Sequence, residues 1–228
     1  YYSIGSWTWQ MPQYDPEGKL KQLVYYRTRK VVGVLAEAED NFGAVGPDYY
    51  VAARLMYDPA QSLEDLLADY YDKCWGQAAE PMRRYWELWR GQADISEELL
   101  AQGLRFIQQA DGLAESQQVR RRIDGMKAYL HFMRLYREYM QVPAGEAEAA
   151  REAMLSYGFA IRPLHVVMTA NVLVRARADT KRGGRVSDET VARWRATPAV
   201  SPEQIEADFA RDLADIRPLG VARRAFSD

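Results

Sequence analysis

The chain has 228 residues, 48% of them hydrophobic, and a net charge of −2, so it can bury the core of one large or two small domains and has no overall attraction for a phosphate backbone. Its one cysteine, Cys74, excludes an internal disulfide and a cysteine-rich metal site. No stretch has the length and apolarity of a membrane span, and neither a cofactor nor a metal is expected.

Residues 1–9 form a first apolar, β-type run. The chain opens within that run, without an initiator Met, and the expectation is a C-terminal fragment of a larger protein. A turn-rich segment, MPQYDPEG, follows, and then residues 19–30, where Leu20, Leu23 and Val24 recur at helical spacing. Residues 31–38, VVGVLAEA, are a second β-type run that ends on Glu37, with Glu39 and Asp40 just behind. Strand, helix, strand is normally a right-handed crossover between parallel strands, and two such strands cannot bury both sheet faces alone. The pattern therefore predicts the last two β/α units of a truncated (β/α)8 barrel, in residues 1–57, and an α-helical domain in 58–228.

Everything after Asp48 has a helical pattern. A short helix at 49–57 stops before Asp58-Pro59, and Ser62 with Asp65 caps a helix reaching Gly76. Helices are predicted at 78–91, from Ser96 onward, at 119–140, at 144–157 and at 164–177. A polar loop with Gly183-Gly184 then precedes a last helix that begins at Pro202 behind Ser201. The longest is 119–140, where Val119, Ile123, Met126, Leu130, Met133 and Met140 keep a 4,3 spacing interrupted at Arg137.

The order GVLAEA, YYVAARLMYDP, LLADYYDKCWGQAAEPMRRYWELW resembles the C-terminal portion of the bacterial domain of unknown function 4838 family. ARLMYDP and the stretch 70–82 are its most specific parts, and Trp75 stands where that family suggests tyrosine. The likeness is strong over about the first ninety residues and rests on helical character beyond them. It implies a glycoside-hydrolase-like barrel, with residues 1–9 and 31–36 as strands seven and eight, a helical domain behind it, and an extracellular or periplasmic location.

Sugar sites pair aromatic platforms with carboxylates and amides. Trp7, Trp9, Gln10, Glu37 and Glu39 are the substrate-binding candidates on that logic, with a carbohydrate as the expected ligand. The alternatives are packing for the two tryptophans and an ion pair, for instance to Arg54, for Glu37. The catalytic acids are expected upstream, so the chain itself is expected to be inactive. A non-catalytic carbohydrate-binding module and a helical interaction module are the competing functions. His131 and His165 are far apart and lack acids at metal-ligand spacing. The basic clusters at 120–122 and at Lys181, Arg182 and Arg185 are short, which predicts solvated surface. The aromatic series from Tyr49 to Trp89 is expected to pack between helices, with a second sugar cleft among them as the other option.

Overall fold

The computed structural model describes residues 2–3, 9–37, 39–91 and 94–216, with the backbone alone at 2, 3 and 37. Within them the chain is helical: α1 Pro16–Thr28, α2 Phe42–Tyr57, α3 Leu63–Trp75, α4 Ala79–Glu87, α5 Glu97–Gly112, α6 Gln117–Gln141, α7 Glu148–Ala160, α8 Thr169–Ala178, α9 Thr180–Gly183, α10 Asp188–Arg195 and α11 Pro202–Asp215. Single 3-10 turns occupy Gly76–Ala78 and Arg162–Leu164.

Local chemistry explains most of the starts. Ser62, Ser96, Ser116, Ser187 and Ser201 each accept, on the hydroxyl oxygen, the backbone N–H three residues ahead. Asp15 caps α1 in the same way through Gly18 N–H, with Pro16 at the first helical position. Gly76 stops α3 in the left-handed region at φ 54°. One helix escapes the sequence pattern: residues 188–195 lie where a loop is expected, yet Ser187, Asp188 and Glu189 start α10, and its Trp194 stacks on Phe159.

The rod α6 is about 37 Å long and lies at the centre. It is buried from Gly125 to Met133 and packs against α2, α5, α7 and α11. Its sequence there carries Lys127 and His131, so burial demands partners. Lys127 Nζ meets Asp111 on α5 at 3.0 Å, Asp124 at 3.6 Å and Glu206 on α11. The His131 Nδ1–H donates to Asp212 of α11 at 2.9 Å, and Arg134 donates to the same carboxylate at 2.7 Å. Together these bonds tie α11 across α6 at both ends of the buried stretch.

The barrel expectation is overturned. Within the described residues, parallel pairing is limited to Tyr2–Ser3 with Ala36–Glu37, plus an isolated bridge between Tyr14 and Arg90, and there is no α/β barrel portion. Residues 31–35 form no strand; Val31, Val32 and Leu35 are exposed. An apolar β-branched run has the same composition whether it is a buried strand or a solvent-facing segment, and only packing partners separate the two. The helix begins earlier than expected as well. A turn from Phe42 breaks at Val45 (φ −145°) and continues through Pro47 to Tyr57, because proline, lacking an N–H, is tolerated at the start of the regular stretch.

Exposed Val32 and Leu35 have a measurable consequence. Changing both to lysine is expected to leave helicity and melting temperature within about 2 °C of the parent while reducing static light scattering at high protein concentration, because it removes apolar surface from water. Unchanged scattering would show that this segment does not drive self-association.

Candidate functional site

A cleft of about 940 Å³ opens between α2, α3, the first turns of α6 and the start of α11. Gly46, Tyr49 and Tyr50 recur at helical spacing on one side of α2 beyond the break at Val45, and with Phe42 from the turn before it they form its first wall. Phe42 is exposed and Tyr50 partly so, while Tyr49 meets Phe42 edge-on at 5.7 Å and Tyr70 supports Tyr50 at 5.6 Å. Gly46 matters for that wall: a Cβ there would lie 2.8 Å from the Tyr70 hydroxyl, so any larger residue would push α2 off α3.

The second wall is α3 and α6. Trp75 is only 5% exposed, and its indole N–H, beside Tyr70, lacks a hydrogen bond of good geometry. Arg122 donates to the Cys74 carbonyl at 2.6 Å and fastens the start of α6 to the end of α3. Burial pushes the Cys74 thiol up from its ordinary range. Gln117, Gln118 and Arg121 are exposed at the mouth. Opposite them His165, itself in the left-handed region at φ 55°, donates its Nδ1–H to Asp40 at 2.6 Å. Gly125 contributes a bare backbone beside Val166, and Ile205 and Pro202 contribute apolar lining from α11. Asp124 is the one carboxylate among the lining residues, and it faces Lys127.

Behind the α2 wall lies a polar cluster built from two of the residues singled out in the sequence. Gln10 donates from Nε2 to Glu39 Oε2 at 3.1 Å, Asn41 donates to the same oxygen at 3.4 Å, and Asn171 of α8 donates to Glu39 Oε1 at 2.7 Å. The Glu39 N–H reaches the Tyr49 hydroxyl at 2.7 Å, which in turn donates to Asn41 Oδ1 at 2.7 Å. Burial pushes the Tyr49 phenol up to about 12, so it keeps its proton and can serve as both donor and acceptor. Gln10 also accepts from Met168 N–H on its side-chain oxygen and from the Tyr129 hydroxyl on its backbone oxygen.

Trp9 and Gln10 adopt positive φ, 53° and 60°, which is costly for residues with a Cβ. The bonds to Gln10 and the seat of Trp9 between Tyr136 and Tyr139, at 5.8 and 5.6 Å between ring centroids, offset that strain. Trp9 and Gln10 are thus buried, Glu39 beside Gln10 is half-buried, and none of the three lines the cleft. Glu37 pairs through its backbone with Ser3, and its side chain lies outside the described residues, as does all of Trp7. Arg54 donates to Gln61 at 2.9 Å.

The residues that make the cleft carried one sequence signal, the aromatic series from Tyr49 to Trp75. What periodicity could not supply was its meeting with Gln117, Gln118 and Arg121, more than forty positions downstream. Among the described residues no group of three or more His, Cys, Asp or Glu side chains is placed to hold a metal, and no helix is long and apolar enough to cross a membrane. No protein-family model, no curated protein and no solved structure matches the chain.

Proposed function

We propose that this chain is a saccharide-binding module that works through the cleft between α2, α3 and α6, without hydrolysis by its own residues. The observation that carries the reading is the pairing of ring faces with edge donors: Phe42 and Tyr50 offer surfaces to sugar C–H patches, while Gln117, Gln118 and Arg121 stand where ring hydroxyls would emerge. A volume of about 940 Å³ suits an oligosaccharide segment better than a single sugar. Binding is preferred over catalysis because glycoside hydrolysis uses two carboxylates across the bond, and the described lining has Asp124 alone, turned to Lys127.

Titration with a panel of oligosaccharides, followed by calorimetry, tests the proposal. At least one should bind, and Phe42→Ala with Tyr50→Ala should weaken it by about tenfold each, the loss expected for an aromatic contact with a ring face. Cys74 gives an independent readout, since it lies in the cleft and is the chain's one cysteine. Saturating saccharide should slow its alkylation by iodoacetamide at mildly alkaline pH. A panel with no binder, or a binder that leaves both the alkylation rate and the two variants unaffected, would reject the cleft as a saccharide site.

A further inference from the structure

We propose that the saccharide taken by this cleft is acidic, with a uronate carboxylate held by the Arg121 guanidinium; the inference rests on the saccharide-binding reading above. Arg121 lines the mouth of the cleft, is exposed, and has no hydrogen-bond or ion-pair partner among the described residues. That sets it apart from its neighbours in the lining. Arg122 is engaged with the Cys74 carbonyl, and His165 is engaged with Asp40. A guanidinium fork left open beside a cavity is suited to a planar carboxylate, which it can bind through two parallel N–H donors.

The surroundings reinforce the sign. Gln117 and Gln118 occupy the first turn of α6, which holds no acid, whereas α3, α5, α10 and α11 all carry Asp or Glu there. An anion near that turn therefore meets the positive end of the helix without competition from a first-turn carboxylate. The lining has two guanidinium groups, on Arg121 and Arg122, against the single carboxylate of Asp124, which Lys127 faces at 3.6 Å.

Affinities for tetrasaccharides of galacturonate, mannuronate and glucuronate, each measured beside its carboxyl-reduced form on the full chain, test this proposal. At least one uronate form is expected to bind about tenfold or more tightly than its reduced counterpart, to weaken with added salt, and to lose that advantage in Arg121→Gln, so that the acidic and reduced forms bind this variant about equally. Arg121 is an exposed helix residue, so the variant should fold as the parent does, which its circular dichroism and melting curve will show. Equal binding of acidic and reduced forms, or an acid preference that survives Arg121→Gln, overturns the acidic assignment and leaves saccharide binding standing. If neither these nor any neutral saccharide binds, the underlying reading fails together with the inference.

Discussion

Replacing Asp48 by asparagine should stabilise the protein, and the gain should grow by roughly 3 kcal/mol between about pH 5 and about pH 8. Asp48 is 1% exposed and receives the Asp15 N–H on both carboxylate oxygens at 3.2 Å, linking the cap of α1 to α2. Burial raises its pKa to about 7, against smaller opposing effects of Lys19 and of the Asp15 N–H. In the unfolded chain the same carboxyl titrates near its ordinary value of 3.8. Between those two values the folded state holds a proton that the unfolded state has released, so unfolding gives one up and stability falls as pH rises. Above about pH 7 both states are ionised and the penalty is constant.

Asparagine has the shape of the protonated acid and can still accept the Asp15 N–H, but it carries no charge to desolvate. Urea unfolding of both proteins at the two pH values checks the claim. An advantage for the variant that does not change with pH would mean that Asp48 titrates normally inside the fold.

The second expected result concerns Glu39. Glu39→Ala should lower the unfolding free energy by roughly 3 kcal/mol and the melting temperature by roughly 6–12 °C for a chain of this size. The substitution strips the acceptor from three amides at once, those of Gln10, Asn41 and Asn171, and it is the loss of partners inside the structure that is costly. Glu39→Gln should fall between the two, because one amide oxygen can still accept while its NH₂ faces donors. Thermal unfolding with a parallel saccharide titration distinguishes this supporting role from that of a ligand group. If Glu39 binds sugar directly, the alanine variant will lose affinity with little change in melting temperature; if it holds the wall, the order is reversed.

Much of the helical part was legible because its signals are local. Serine at the cap of α3, α5 and α11, Gly76 behind α3, and the 4,3 spacing of apolar residues along α6 act over a turn or two. The misjudged segment, residues 31–35, shows the limit of that locality. VVGVLAEA has the β-branched, continuous character of a buried parallel strand, and whether a sheet forms depends on neighbours that composition does not contain. Glu39 shows a related limit. Its acid character and its nearness to Gln10 in function were suggested by the sequence, but the amides that surround it come from positions 10, 41 and 171.

By itself, then, the sequence determined where most of the helices lie, which faces are apolar, that Cys74 has no partner within these 228 residues for a disulfide, and that aromatic residues concentrate between Tyr49 and Trp89. Tertiary structure alone decided that Trp9 is packing between Tyr136 and Tyr139, that Glu39 is the acceptor at the centre of a cluster, and that Arg121 stands open beside Tyr50 and Trp75 in one cleft. The physical reason is range. Capping and periodicity are satisfied within a few residues, whereas burial and hydrogen-bond completion are satisfied by whatever the fold brings near, however far apart in the chain.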